Sequence, residues 1–263
     1  MGIGRVQLVL KKRGGYAFVG FLDFMLFIWI TGHPEMADKS APTGDLTPRI
    51  LIRKETIMNE LRIAVFGAGN IGGTLGRKWA AAGHKISFGV NNPDSERAQA
   101  LRAELGTKVT IGSAADALVD SDVVVMALPG KVMDETITKY AAQLDGKIII
   151  DTANRLGGGP MNSFATFQTH TPHARVFRAF NTLGWENFAD PVFDGIQADL
   201  FYCGPGGDAR EVVEQMISDV GLRPIRLGDA DQVGLVDSVG SLWFALALGQ
   251  GKGRHLAFKV LSK

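Results

Sequence analysis

The chain has 263 residues, a formal net charge of +1, 46% hydrophobic and 21% charged residues, and a single cysteine, Cys203. A near-neutral chain with this apolar content builds a packed core and gives no support for nucleic-acid binding through a broad basic face. One cysteine excludes a disulfide framework and a cysteine zinc cluster, and the five histidines fall in no metal-binding spacing.

The first 57 residues read differently from the rest. Lys11-Lys12-Arg13 precede an apolar run, Tyr16–Thr31, that Asp23 interrupts. Three readings stand beside one another. A signal peptide would have this basic-then-apolar order, but no small-x-small cleavage site follows in residues 33–41. A membrane anchor would need about 20 apolar residues and would not carry a carboxylate near its middle. In the third reading, which we favour, translation begins at Met58, immediately before the first strand of a regularly patterned region. Residues 1–57 then stand outside the working protein, which would be cytoplasmic. Residues 34–57, with Pro34, Pro42, Gly44 and Pro48, read as a linker.

The patterned region opens with Arg62–Phe66, an apolar β-branched run expected to be a buried strand. Gly67, Gly69 and Gly72 follow at the spacing GxGxxG. Ile71, Leu75, Trp79 and Ala82 then recur at helical spacing until Gly83 ends the helix, and a second strand covers Lys85–Phe88. Strand, glycine turn, helix and strand in this order are the context of a dinucleotide-binding unit. Gly67 permits the tight turn, Gly69 lets a pyrophosphate lie against the backbone, and Gly72 lets the helix approach the strand. The free amides and dipole of the helix's first turn favour the phosphate charge.

The end of the second strand selects between NAD and NADP: an acidic residue bonds the ribose 2′-hydroxyl, a basic one the 2′-phosphate. Gly89-Val90-Asn91-Asn92-Pro93 contains neither. Asn91, Asn92 and Ser95 can donate to a phosphate and Arg97 follows within the next helix, so NADP(H) is the expected nucleotide; Asn91-Asn92-Pro93 also fits plain turn chemistry.

Further on, Asp94–Leu105 reads as a helix, Lys108–Ile111 as a third strand, and Ser113 as the cap of a helix over Ala114–Val119. Asp122–Leu128 is a central buried strand, Lys131–Leu144 a helix, and Lys147–Asp151 a fifth strand running into Thr152-Ala153-Asn154. Ligands of doubly wound sheets lie beyond the carboxyl ends of the strands. Leu128 and Pro129 are therefore expected to flank the adenosine–ribose region, and Asn154 either to bond the nicotinamide ribose or to stabilise its own turn. Gly157–Pro160 reads as a connection, Ala174–Phe180 as a sixth strand ending at Asn181-Thr182, Asp199–Cys203 and Pro224–Leu227 as further strands, and Asp208–Val220 as an amphipathic helix. A helix containing Val233, Val236, Val239, Trp243 and Leu246 precedes a basic tail, Arg254–Lys263, expected to be a solvated face with Trp243 in the core. Cys203, within an apolar strand, reads as a small core residue.

The expected fold is α/β: a doubly wound Rossmann-type parallel sheet with a small α/β C-terminal extension. Three segments are expected: an N-terminal extension over 1–57, a dinucleotide-binding domain over 58–156, and a portion over 157–263 that completes the sheet and the acceptor side of the cleft. No nucleophile–base pair stands out and GxSxG is absent, so no catalytic side chain and no metal ligand is assigned. Hydride transfer needs none, because the protein has only to hold two rings in contact and exclude water.

The blocks Gly67–Gly73, Trp79–Gly89, Asp151–Asn154, Ala179–Thr182, Glu186-Asn187 and Asp190-Pro191, with Leu242-Trp243, Gly249–Arg254 and Ala257–Lys259 in the tail, resemble the bacterial branch of the F420-dependent NADP oxidoreductase family. The 6-phosphogluconate and β-hydroxyacid dehydrogenases share the fingerprint but continue into a large helical domain. The resemblance implies NADP(H) on the glycine turn and a hydride passed to or from deazaflavin F420 or a flavin-like acceptor. It implies that Asn70 and Ile71 contact the pyrophosphate, that Leu128 and Pro129 line the cleft, and that Ala179 and Asn181 lie near the nicotinamide. Two positions depart from the family pattern. Asn91 stands where the branch carries an Arg, and Asp237 where relatives carry a Glu. The expected partners are small-molecule cofactors, with no nucleic acid, a membrane only if residues 1–57 anchor the chain, and a homodimer left open. The rival readings are a non-catalytic redox sensor and a membrane-tethered reductase.

Overall fold

The structure is a computed structural model that describes the backbone of residues 6–12 and 15–22 and the whole of residues 60–263. The chain divides into two units, residues 1–59 and 60–263. In the first, β1 (Val6–Lys12) and β2 (Gly15–Leu22) form an antiparallel hairpin with Lys12 opposite Gly15. The remainder of the apolar run, the linker over 34–57 and Met58 lie outside the described residues.

The second unit is built on six parallel strands: β3 (Arg62–Phe66), β4 (Lys85–Gly89), β5 (Val109–Gly112), β6 (Val123–Met126), β7 (Ile148–Asp151) and β8 (Arg175–Arg178). Their order across the sheet is β5-β4-β3-β6-β7-β8, that is, third, second, first, fourth, fifth, sixth. This is the Rossmann order, with its reversal between β3 and β6. The strands are near-continuous apolar runs because both faces are covered. Ile63 and Val65 of β3, Val123 and Val125 of β6, and Ile148 and Ile150 of β7 pack on one face with Leu75 and Trp79. The alternate residues Ala64, Phe66, Val124, Met126 and Ile149 pack on the other with Leu118, Met133 and Phe167.

Helices α1 (Asn70–Ala81), α2 (Glu96–Leu105), α3 (Ala114–Leu118), α4 (Met133–Lys139), α5 (Ala141–Leu144) and α6 (Phe164–His170) connect these strands. Ser113 caps α3 through a full capping box with Asp116. The single helix expected over Lys131–Leu144 is broken. Gly130–Val132 is a 3₁₀ turn, and α4 and α5 part at Tyr140, whose ring packs edge-on against Phe66 with 5.8 Å between centroids. The short helix α6 was not marked by the sequence pattern.

The rest of the chain adds α7 (Trp185–Ala189), the small hairpin β9 (Val192–Phe193) and β10 (Ile196–Gln197), then β11 (Asp199–Tyr202), α8 (Asp208–Asp219), β12 (Arg223–Arg226) and α9 (Val233–Phe244), which runs into one π-helical turn over Ala245–Gly249. Strands β11 and β12 pair in parallel as a separate sheet. A single antiparallel bridge between Arg178 and Cys203 ties that sheet to β8. Cys203 is fully buried, and burial pushes its thiol up to about 12. It is therefore an inert core residue.

The basic tail is exposed over most of its length, as expected of a solvated face, but it also makes specific contacts. Arg254 pairs with Glu186 and lies over the Trp243 ring, while Lys259 and the Val260 amide bind the buried Asp199 carboxylate. A buried carboxylate demands donors, and the tail supplies two of them. Trp243 is 2% exposed, as expected of a core residue.

Candidate functional site

The glycine turn lies at the carboxyl end of β3. Gly67 has a φ of +94° and its amide donates to Gly89 O at 2.9 Å; a Cβ there would meet Ala127 O at 2.5 Å. Gly72 is closed to any side chain, since a Cβ would lie 2.0 Å from Gly67 O. Gly69 is the opposite. A Cβ there would find nothing nearer than Nη1 of Arg97 at 4.0 Å. The three glycines thus divide into a turn, a helix contact and an open floor, as the fingerprint requires. Gly76, which the spacing does not mark, brings α1 onto β4, where a Cβ would lie 2.3 Å from the Phe88 ring.

The first helical bond of α1 runs from Gly73 N to Gly69 O, so the amides of Asn70, Ile71 and Gly72 precede it and are free to face a ligand. No side chain caps this helix and no acidic residue occupies its first turn. The positive end of the dipole is left for an anion from outside the chain. A cleft of about 230 Å³ opens there, lined by Gly69, Asn70, Thr74, Arg97, Leu101 and Trp185 among others. Arg97, exposed in the first turn of α2, forms no ion pair among the described residues. Arg77, also at the cleft, is already bound to Glu104 by paired bonds of 2.8 Å. Open floor, free amides, an uncapped helix end and an unpaired guanidinium fit a dinucleotide's phosphates.

The remaining residues of the adenosine side lie around this cradle. Asn91 and Asn92 are exposed in the turn after β4. Asn92 Oδ1 accepts from the Asp94 amide at 3.0 Å, so this carboxamide braces its own turn. Ser95 Oγ caps α2 by accepting from the Ala98 amide. Leu128 is half-buried, with Cδ2 3.4 Å from the Cβ position of Gly67, and Pro129 is exposed at the same rim.

Past the carboxyl ends of β7 and β8 the site changes character. Arg178 and Asp151 are fully buried, and Asp237 of α9 is 8% exposed. Arg178 Nε donates to Asp237 Oδ1 at 2.8 Å, Nη1 lies 3.3 Å from Asp151 Oδ1 and also donates to the Asp151 and Ala153 carbonyls, and Nη2 donates to Asn154 Oδ1 at 2.7 Å. Asp151 also accepts from the Ala153 and Ser163 amides; burial pushes its carboxyl up against these donors. Asn162 Nδ2 donates to Asp237 Oδ2 at 2.7 Å. Asp237, the shorter acid where a Glu was expected by resemblance, is therefore tied to a cation and an amide.

This network decides what Asn154, Ala179 and Asn181 present. Asn154 Oδ1 accepts from Arg178 and its Nδ2 donates to Asn181 O at 3.1 Å, so both ends of its carboxamide are engaged with the segment that ends β8 rather than with its own turn. Ala179 is fully buried and belongs to the core on the α1 side of the sheet. Phe180 adopts a φ of +59°, uncommon for a large side chain, with its ring edge-on to Trp79 and Phe188. Asn181, 3% exposed, donates weakly to Asp237 at 3.4 Å, and its Oδ1 has no partner. Glycine 240 lets α9 pass over it, for a Cβ would lie 3.2 Å from Asn181 O. Sequence reading missed Arg178, Asp151, Asn162 and Trp185. A charge inside the apolar strand ARVFRAF was the available signal for the first, since such a charge needs a buried partner.

Residues 62–155 match the model of the family described as NADP oxidoreductase, coenzyme F420-dependent. A glycerol-3-phosphate dehydrogenase [NAD(P)+] of Chlorobium phaeobacteroides is 31% identical over 104 residues, which are 35% of this chain and 31% of that enzyme. The chain therefore spans about a third of the curated relative. A crystal structure from Arthrobacter, named as a candidate F420-dependent NADP reductase, superposes with a TM-score of 0.68 at 24% identity, covering 77% of this chain and all of that one. A hypothetical protein of Sinorhizobium meliloti gives 0.57 at 26% identity over 78% and 97% of the two chains. An imine reductase of a Pseudomonas species gives 0.57 at 16% identity over 72% and 63%. The chain thus carries the α/β Rossmann fold of NAD(P)-dependent oxidoreductases and, over residues 62–155, matches the coenzyme F420-dependent NADP oxidoreductase family.

Proposed function

We propose that this protein binds NADP(H) at the glycine turn and passes a hydride between its nicotinamide and a second cofactor, deazaflavin F420 or a flavin-like acceptor. The observation that carries the reading is the open cradle: Gly69 leaves the floor free while Arg97 stands unpaired 4.0 Å above its Cβ position. In this reading the Gly69–Gly72 turn and the amides of Asn70 and Ile71 hold the pyrophosphate. Arg97, with Asn91 and Asn92, meets the 2′-phosphate in place of the Arg that Asn91 replaces. Leu128 and Pro129 wall the nucleotide side, and the Asn154–Asn181 pair shapes the rim beyond β7 and β8. Bound NADPH supplies the hydride. The chain's own part is to orient the rings and exclude water, which needs no nucleophile. The family match over residues 62–155 supports the nucleotide and the acceptor class.

The test is stopped-flow absorbance at the NADPH band, with the full chain mixed in turn with deazaflavin, FMN and FAD. Oxidation by the deazaflavin alone is expected. Oxidation by a flavin would keep the hydride transfer and change the acceptor. Tight NADPH binding with no oxidation by any of the three would favour the redox-sensor reading.

A further inference from the structure

Trp185 is assigned no role by the dinucleotide fingerprint, yet it lines the phosphate cleft together with Gly69, Asn70 and Arg97. It is half-buried, with part of its ring packed on the core and the rest facing the cleft. A buried indole normally satisfies its N–H. The two other tryptophans in residues 60–263 do so: Trp79 donates to Met216 O at 2.9 Å and Trp243 to Leu256 O at 2.7 Å. Trp185, only half-buried, differs: its Nε1 has no acceptor among the described residues and is not one of the buried unpartnered atoms, so this N–H is open to solvent or to a ligand.

Its placement is held from outside the glycine-turn unit. Gly184, just before it, packs so closely that a Cβ would lie 2.9 Å from the Trp243 ring. Glu186, just after it, pairs with Arg254, and Asn187 Nδ2 donates to Arg254 O at 3.0 Å. The start of α7 is thus clamped by α9 and the tail, with the indole presented to the cleft. An aromatic face with an unpaired N–H, beside free helix amides and an unpaired Arg, suits a phosphorylated ribose.

We propose that Trp185 is a nucleotide-binding residue, forming the wall of the cleft supplied by the C-terminal part and donating its indole N–H to a phosphate oxygen of the adenosine half. This rests on the NADP(H) reading above and adds to it a residue that reports ligand binding from across the fold. The test is calorimetric titration of the full chain with NADPH and with 2′,5′-ADP, which carries the phosphates without the nicotinamide. Trp185→Phe, which keeps the ring and removes the donor, is expected to weaken both ligands about tenfold, and Trp185→Ala at least as much. Unchanged affinity in both variants overturns the inference while leaving the NADP(H) reading intact. No binding of either ligand to the unmodified chain overturns that reading, and this inference with it. A substitution-free check is ¹⁵N–¹H exchange of the indole protons: 2′,5′-ADP is expected to protect one fast-exchanging indole, and no protection counts against the proposal.

Discussion

The two ends of the cleft are built from different materials. The phosphate end is made by backbone: a turn at Gly67, an open floor at Gly69, and three unbonded amides at the head of α1. The end beyond β7 and β8 is made by side chains from three separated segments, with Arg178 at the centre of Asp151, Asn154 and Asp237. A backbone site depends on what is absent, so adding atoms destroys it. A side-chain network depends on mutual satisfaction, so removing one member destroys it.

The largest expected effect tests the second half of that contrast. Arg178→Met leaves two buried carboxylates without their cation and should cost about 3–5 kcal/mol of stability, read as a large fall in thermal midpoint. A loss below about 1 kcal/mol would mean the network is not what holds β7, β8 and α9 together. Next come two glycines of one turn with opposite outcomes. Gly72→Ala should destabilise by about 1–3 kcal/mol through overpacking against Gly67 O. Gly69→Val should leave the thermal midpoint nearly unchanged and abolish NADPH binding. If both variants lost stability alike, the open floor would be disproved. Smaller again, Arg97→Ala should reduce the preference for NADPH over NADH about tenfold, or roughly 1.4 kcal/mol, in paired binding titrations. An unchanged ratio would place the 2′-phosphate elsewhere.

The smallest effect concerns the tail. Burial works against the charge of Asp199, but Arg223, the Val260 amide and Lys259 outweigh it and hold the carboxyl below the usual carboxylate range. A depressed native pKa gives stability that is present above the unfolded value, near 4, and is lost as pH falls through the native one. The difference in thermal midpoint between the unmodified chain and Asp199→Asn should therefore shrink on acidification below about pH 4. A difference constant with pH would detach the tail from this charge.

The same contrast explains what was legible in the sequence. The succession of strands and helices along the chain and the glycine turn were readable because they depend on local spacing: apolar runs of four or five residues, a GxGxxG, a helix stopped at Gly83. The network was not, because Asp151, Asn162, Arg178 and Asp237 are brought together only by the packing of α9 over the ends of β7 and β8. The tail was legible in part for a related reason. Its charges are exposed, as its composition suggests, but composition does not show that Asp199 lies buried beneath them. The break at Tyr140 likewise follows from a contact with Phe66, more than seventy positions earlier in the chain.

One feature of α1 reaches beyond binding. Gly72, Gly73 and Gly76 are interior to a helix of 12 residues, and each lowers intrinsic helicity by about 0.8–1.0 kcal/mol relative to alanine. Such a segment has little tendency to be helical alone and is held by the sheet on which it lies. The same glycines that admit the sheet and the ligand thus make the cradle a local-unfolding unit of low autonomy. Its amides should exchange with deuterium ahead of those in β3 and β6, and bound nucleotide should slow them most, so that the ligand completes the folding of its own site.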